Sequence, residues 1–207
     1  MLPGNAKIVK CPFCGAEKEL MTLLSGNTIG AQYWSDNKRI APMLPSVSPV
    51  QKCPHCGKYY LEWKQPSKEI KECSFERGEI SFQEWREAYS QFVSEDLDRK
   101  TLTDINFWTV QSYNDCFYRN HGNAPTDDDF TFFKKMAQEF IDSFNWEPVK
   151  HPLLKAELYR EMGEMNSCKA TLDEINFDEL EDFEKYIFNE ILKRMKSGDI
   201  RVFKMNI

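Results

Sequence analysis

The strongest constraint on this chain is a short motif that occurs twice. Cys11-Pro12-Phe13-Cys14-Gly15 returns as Cys53-Pro54-His55-Cys56-Gly57. Two sulfurs of one Cys-x-x-Cys unit reach a single ion, at about 2.3 Å each, only if the backbone folds back within one turn. Proline fixes φ directly after the first cysteine, and glycine accepts the positive φ that ends the turn. Backbone N–H groups in such a turn point towards the sulfurs and offset their charge. Two complete motifs supply four sulfurs, the number a closed tetrahedral site takes. Cys11, Cys14, Cys53 and Cys56 are therefore the candidate metal ligands. His55 lies inside the second motif, but four cysteines already fill a tetrahedron, so it reads as a solvent-facing turn residue.

Other fates for these cysteines are two disulfides, or four buried thiols without metal. The chain has seven cysteines. Met1-Leu2-Pro3-Gly4 shows no basic segment leading into an apolar one, so no secretory signal is read. That favours a reducing, cytoplasmic setting, in which paired cysteines are metal ligands rather than disulfides. No apolar run approaches the length that spans a bilayer, so no membrane partner is expected.

The paired motif resembles the rubredoxin-like zinc ribbon, over Cys11–Cys14, Cys53–Cys56 and the flanking strands. The resemblance implies a structural Zn2+ held by all four cysteines. Iron is the alternative metal, because tetrahedral sulfur suits both. The departure from the family is the 38-residue insert from Gly15 to Lys52. Within it, Glu19–Leu24 reads as a strand, Ser25-Gly26-Asn27 as a turn, and Thr28–Trp34 as the return strand of a hairpin. Tyr33, Trp34, Asp36, Lys38 and Arg39 then form a mixed aromatic and charged cluster. It reads either as a recognition loop for a partner or, for Trp34, as packing on a ribbon that has little other core. Lys58–Trp63 is strand-like and would complete the ribbon sheet, and Gln65-Pro66-Ser67-Lys68 punctuates its end. Cys73 follows alone.

Beyond residue 80 the pattern turns helical. Ser81-Phe82-Gln83-Glu84 is a capping box, followed by Phe82, Trp85, Ala88, Tyr89 and Phe92 at helical spacing. A second helix is expected from about Leu102 to Arg119, with Ile105, Trp108, Ser112 and Cys116 on its apolar face and Asn114 and Asp115 on its polar one. His121-Gly122-Asn123-Ala124-Pro125 stops it. Asp127, Asp128 and Asp129 point in three directions from a helix start, which fits first-turn capping better than a carboxylate metal site. Phe130, Phe133, Met136, Phe140 and Phe144 follow as an apolar face. Pro148 and Pro152 bracket the next gap, with His151 read as a loop residue. Residues 153–176 read as an antiparallel helix pair, with Leu154, Leu158 and Met162 on one stripe, Gly163 at the break, and Met165, Cys168, Leu172 and Ile175 on the other. This pair resembles a tetratricopeptide helix pair, with Tyr159, Gly163, Cys168 and Leu172 at the family's spacing. Lys155 stands where the family has leucine, and no second full repeat follows, so a peptide-binding groove is not carried over. A last helix, Glu179–Lys196, places Leu180, Phe183, Ile187, Ile191 and Met195 inward. It ends at Ser197-Gly198, and Ile200–Met205 closes the chain as a short strand or packed tail.

Charge divides the chain in the same way. Residues 1–64 hold eight Lys or Arg against four acids, and the remainder 19 against 29, so a basic head precedes a strongly acidic body. The body is a poor match for phosphates, which need clustered cations. No phosphate-cradling glycine loop, nucleophile elbow or His-Glu-x-x-His occurs. The expected fold is α+β: a small N-terminal β zinc ribbon with a long insert over residues 5–65, then an all-α, tetratricopeptide-like domain over residues 78–207. The expected role is a zinc-binding, non-enzymatic interaction or adaptor protein with a protein partner. The alternatives are a nucleic-acid-binding head, using Lys38, Arg39, Lys52, Lys58, Tyr33 and Trp34, and an enzyme with its site at the ribbon–helix junction.

Overall fold

The computed structural model describes residues 2–45, 48–70, 80–119, 122, 124–147, 149 and 151–206. Cys73, His121, Asn123 and Pro148 lie outside the described residues. The strands are β1 (Leu2–Pro3), β2 (Ala6–Lys10), β3 (Glu17–Leu20), β4 (Leu23–Ser25), β5 (Gln32–Trp34), β6 (Arg39–Ile40), β7 (Val50–Lys52), β8 (Tyr59–Leu61), β9 (Ser67–Ile70) and β10 (Lys204–Met205). The helices are α1 (Phe82–Phe92), α2 (Arg99–Asn114), α3 (Asp127–Ser143), α4 (Leu153–Glu161), α5 (Met165–Asp173) and α6 (Asp182–Ser197). Short strands come first and helices follow, an α+β arrangement. Two compact units result: residues 1–31 with 40–96, and residues 32–39 with 97–207. None of the described helices is long and apolar enough to cross a membrane.

In the first unit, each cysteine motif sits at the tip of a hairpin. β2 pairs antiparallel with β3, from Lys7 opposite Leu20 to Lys10 opposite Glu17. β7 pairs antiparallel with β8, from Val50 opposite Leu61 to Lys52 opposite Tyr59. β9 lines the other edge of β2, so Ser67–Ile70 extends the sheet where the turn residues 65–68 suggested its end. One small core cluster here gathers Val9, Cys11, Leu20, Cys53 and Tyr60, and Val50, Tyr59 and Leu61 of the second hairpin are buried as well. Helix α1 belongs to this unit and is joined to β8 by side chains. Gln91 accepts from the Tyr59 N–H at 3.0 Å and donates to the Tyr59 carbonyl at 2.7 Å, so its amide replaces a neighbouring strand. The Tyr59 hydroxyl donates to Glu87 at 2.6 Å, and Lys52 reaches Glu84 and Glu87.

Helix α1 starts as its sequence requires. The Ser81 hydroxyl accepts from the Glu84 N–H, and the Glu84 carboxylate accepts from the Ser81 N–H at 2.9 Å. Phe82, Trp85, Ala88, Tyr89 and Phe92 are all buried, as their spacing predicts. Replacing the cap, Ser81→Ala, is expected to cost about 1 kcal/mol of stability in urea unfolding. A change below about 0.3 kcal/mol would mean the cap contributes nothing here.

The expected hairpin over residues 19–34 does not form. β4 pairs with β1, whereas β5 leaves the first unit and pairs with β10, Trp34 opposite Lys204 and Tyr33 opposite Met205. Strand pairing depends on which edges lie free after packing, and the turn at Gly26 and Asn27 does not by itself choose a pairing partner for the next strand.

In the second unit, α2 and α3 share an aromatic core, with Tyr113 stacked on Phe133 at 4.4 Å between ring centroids and Phe107 on Phe140 at 4.7 Å. The Thr126/Asp129 capping box opens α3, so Asp127–Asp129 form its acidic first turn, as expected. A second core gathers Leu153, Ala156, Cys168, Leu172, Ile175, Leu180, Ile191, Phe203 and Met205. Gly163 has φ +79° and separates α4 from α5. Gly198 closes α6 in the left-handed conformation.

Three apolar assignments fail. Phe144, placed on the apolar face of α3, is 37% exposed just beyond its end. Cys116 is exposed, because α2 ends in a π-helical turn over Asp115–Arg119. The wider turn rotates these residues off the 3.6-residue stripe. The buried face of α2 keeps Ile105 and Ser112, as expected, and adds Thr109, Val110 and Tyr113. Phe183 is 41% exposed, on the solvent side of the first turn of α6.

Candidate metal centre

The two hairpin tips have the same backbone. The Gly15 N–H donates to the Cys11 carbonyl at 2.9 Å and the Gly57 N–H to the Cys53 carbonyl at 3.0 Å. Both glycines hold φ near +75°, at +75° and +72°, a conformation that disfavours any side chain. Each first cysteine also donates its N–H across the hairpin, Cys11 to Ala16 and Cys53 to Lys58. These bonds turn both Cys-x-x-Cys segments inward.

The four sulfurs converge. Cys11 Sγ lies 3.7 Å from Cys56 Sγ, and Cys14 Sγ lies 3.6 Å from Cys53 Sγ. All four are within 4.8 Å of one another. A tetrahedron with metal–sulfur bonds of about 2.3 Å has edges of about 3.8 Å, so the arrangement fits one tetrahedral ion. Cys11 and Cys53 are buried, whereas Cys14 and Cys56 are exposed, so the centre sits at the margin of the small core. His55 is exposed at the tip, as expected of a turn residue.

The electrostatics of Cys11, Cys14 and Cys53 fits a cation site. Burial raises Cys53, but the N–H groups of Cys56 and His55 and the neighbouring thiols outweigh it and draw it down to about 6. Burial raises Cys11, and the Cys53 and Cys56 sulfurs add to the rise. The Ala16 N–H lowers Cys14, yet desolvation and the three other sulfurs push it up to about 12. The surroundings of Cys53 favour its thiolate, and its sulfur opposes ionisation of Cys11 and Cys14. Four thiolates this close need a bound cation.

The residues of the insert that were singled out for recognition lie in the second unit. Asp36 is fully buried, and both its carboxylate oxygens accept from Arg119, at 2.8 and 2.7 Å. Lys38 donates to Asp115 at 2.7 Å. The Trp34 ring lies under the Arg119 guanidinium at 5.5 Å. Tyr33 packs against the second core, and Arg39 is exposed.

Sequence reasoning missed the polar interior that these residues enter. Asn114 sits in it rather than on a solvated face, donating to Asp36 at 3.0 Å and to Glu161 at 2.8 Å. Glu157 and Arg160 form a second buried pair at 2.6 Å, and Arg160 also donates to the Asp199 and Arg201 carbonyls. Charged residues on a helix ordinarily mark a solvated face, and no local pattern marks these as buried. In comparisons with known proteins, no family model, no curated protein and no solved structure matches this chain.

Proposed function

We propose that Cys11, Cys14, Cys53 and Cys56 hold one structural zinc ion, and that the protein is a non-enzymatic interaction protein whose first unit is folded by that metal. The convergence of four sulfurs at near-tetrahedral spacing carries the reading. Four protein ligands leave no coordination position for water or substrate, which is the arrangement of a structural rather than a catalytic site. Iron would fit the same sulfurs. The matched hairpins around the two motifs support the resemblance to a zinc ribbon, and the pair α4 and α5, packed around Ala156, Cys168 and Leu172, supports the tetratricopeptide-like reading.

A protein partner is favoured over nucleic acid by how the basic side chains are used. Lys52 is paired with Glu84 and Glu87, Lys58 lies over the Phe13 ring at 4.6 Å, and Lys38 is paired with Asp115. Phosphate binding would have to break these contacts, and the first unit exposes Phe13, Leu24 and Ile29 as apolar surface instead. Metal analysis of the purified chain is expected to find one zinc per protein, lost on Cys53→Ser. Titration with a single-stranded oligonucleotide at low salt is expected to show no binding. A visible sulfur-to-iron absorption band, or tight salt-dependent oligonucleotide binding, would overturn the respective half of the proposal.

A further inference from the structure

The interior of the second unit holds more carboxylates than cations to match them. Asp36 is paired with Arg119, Asp115 with Lys38 and Arg119, and Glu157 with Arg160. Glu161 is 1% exposed, and among the described residues its hydrogen-bond partner is a neutral amide, Asn114. A bare carboxylate there would face Glu157 on its own helix and Asp36 on the turn after β5. Arg160 is already held by Glu157, and Arg119 by Asp36. An uncompensated buried charge of this kind is strongly unfavourable.

The hydrogen bonds indicate where a proton would sit. The two N–H bonds of Asn114 Nδ2 go to Asp36 Oδ2 and Glu161 Oε2. That leaves Asn114 Oδ1 and Glu161 Oε1, both buried and both without a hydrogen-bond partner among the described residues. Both are acceptors, so neither can satisfy the other while Glu161 is ionised. A single proton on Glu161 Oε1, donated to Asn114 Oδ1, satisfies both and closes a ring of two hydrogen bonds between the side chains.

We propose that Glu161 is a buried neutral carboxylic acid, paired in this ring with Asn114, and that the pair is a pH-sensitive latch holding the Asp36 turn against α2 and α4. The proton is taken up from solvent as the unit folds. On ionisation, Glu161 would repel Asp36 and Glu157 and lose its bond to Asn114 Oδ1. Asn114, the link to Asp36, would then be left with an unsatisfied carbonyl.

Burial raises the Glu161 carboxyl well above its ordinary 4.5, Glu157 and Asp36 add to the rise, and Arg160 and the Asn114 hydrogen bond oppose it. Tyr113 on α2 also feels the Glu161 charge, its own hydroxyl raised first by burial. Below the ordinary value both folded and unfolded chains carry the proton, and the latch contributes in full. Above it the unfolded chain releases the proton and the folded chain keeps it. Stability therefore falls as pH rises and levels off once the folded value is passed.

Glu161→Gln tests this, because its amide donates to Asn114 Oδ1, its carbonyl accepts from Asn114 Nδ2, and it has no proton to lose. In urea unfolding across pH, the wild-type folding equilibrium is expected to weaken by up to tenfold per pH unit relative to the variant, starting above the ordinary carboxylate range. The two proteins should converge at pH 4.5 and below, and the variant should be the more stable at pH 7. Infrared spectroscopy of the wild type with carbon-13 in its glutamate carboxyls reads the proton directly. A protonated glutamic-acid carbonyl band is expected at pH 7. Parallel pH profiles, a variant that fails to fold, or absence of that band in the wild type would overturn the proposal.

Discussion

Stripping the metal with a strong chelator is expected to unfold the first unit and leave the second folded. The reason is where the ligands sit. Cys11 and Cys53 are themselves ligands and are buried with Val9, Leu20 and Tyr60 in the cluster that joins the two short hairpins. Short hairpins of this kind are marginal without a staple. Structural zinc supplies apparent binding energies of about 10–16 kcal/mol, comparable to the whole stability of an ordinary domain. Without it, four sulfurs this close cannot all stay thiolates, and the hairpin tips would have nothing to bring them together. Far-UV circular dichroism should keep most of its helical signal, since α2 to α6 belong to the second unit and α1 alone to the first. Amide exchange should rise sharply at Val9 and Tyr60, and the emission of Trp63 and Trp85 should shift. Acid should act in the same direction, because protons compete with the ion for each sulfur. Unchanged exchange protection at Val9 and Tyr60 after complete metal removal would sink the proposed role of the metal.

Arg119→Ala is expected to cost the second unit about 3–5 kcal/mol, the scale for removing one partner of a buried ion pair. Every guanidinium nitrogen is used: Nη1 on Asp36, Nε on Asp115 and Nη2 on the Gln111 carbonyl. Asp36 and Asp115 hold the Arg119 charge firmly, raising it against the burial that would lower it. The larger penalty lies with what is left behind. Asp36 would remain fully buried with the Lys38 N–H, at 3.2 Å, and Asn114 as donors, and no cation. The strand register of β5 against β10 and the placement of Trp34 depend on the same turn. A double replacement, Arg119→Met with Asp36→Leu, should recover most of the loss, because paired removal leaves no stranded charge. Urea midpoints for the single and double variants give the coupling energy. A cost below about 1 kcal/mol for Arg119→Ala would mean that water reaches Asp36, and that the pair behaves as a surface one.

Sequence and structure agree where the physics is local. The Cys-Pro-x-Cys-Gly turns need only a fixed φ, a positive φ and two sulfurs, all within five residues, and both form as expected. The capping boxes at Ser81/Glu84 and Thr126/Asp129 each join residues three apart. The stripe of α1 follows from helical spacing alone. Even the convergence of Cys11 and Cys14 with Cys53 and Cys56 was legible, because two half-sites of matching shape have one economical way to combine.

The structure alone decided what depends on distant partners. Gln32–Arg39 reads as part of the insert, yet it joins the second unit through β10 and through an Asp36–Arg119 bond across 83 residues of sequence. Helix α1 reads as the start of the helical body, yet it clusters with the hairpins. Asn114 reads as part of a polar helix face, and nothing local marks Arg119, Glu157, Arg160 or Glu161 as buried, since burying any one of them alone is unfavourable. Their partners make burial acceptable, and those partners come from segments that no helical or strand period connects. The cysteine motifs were visible from the sequence because their ligand geometry is set by neighbouring residues. The polar interior was not, because each of its charges is tolerable only once the chain has already brought the opposite charge, or a shared proton, beside it.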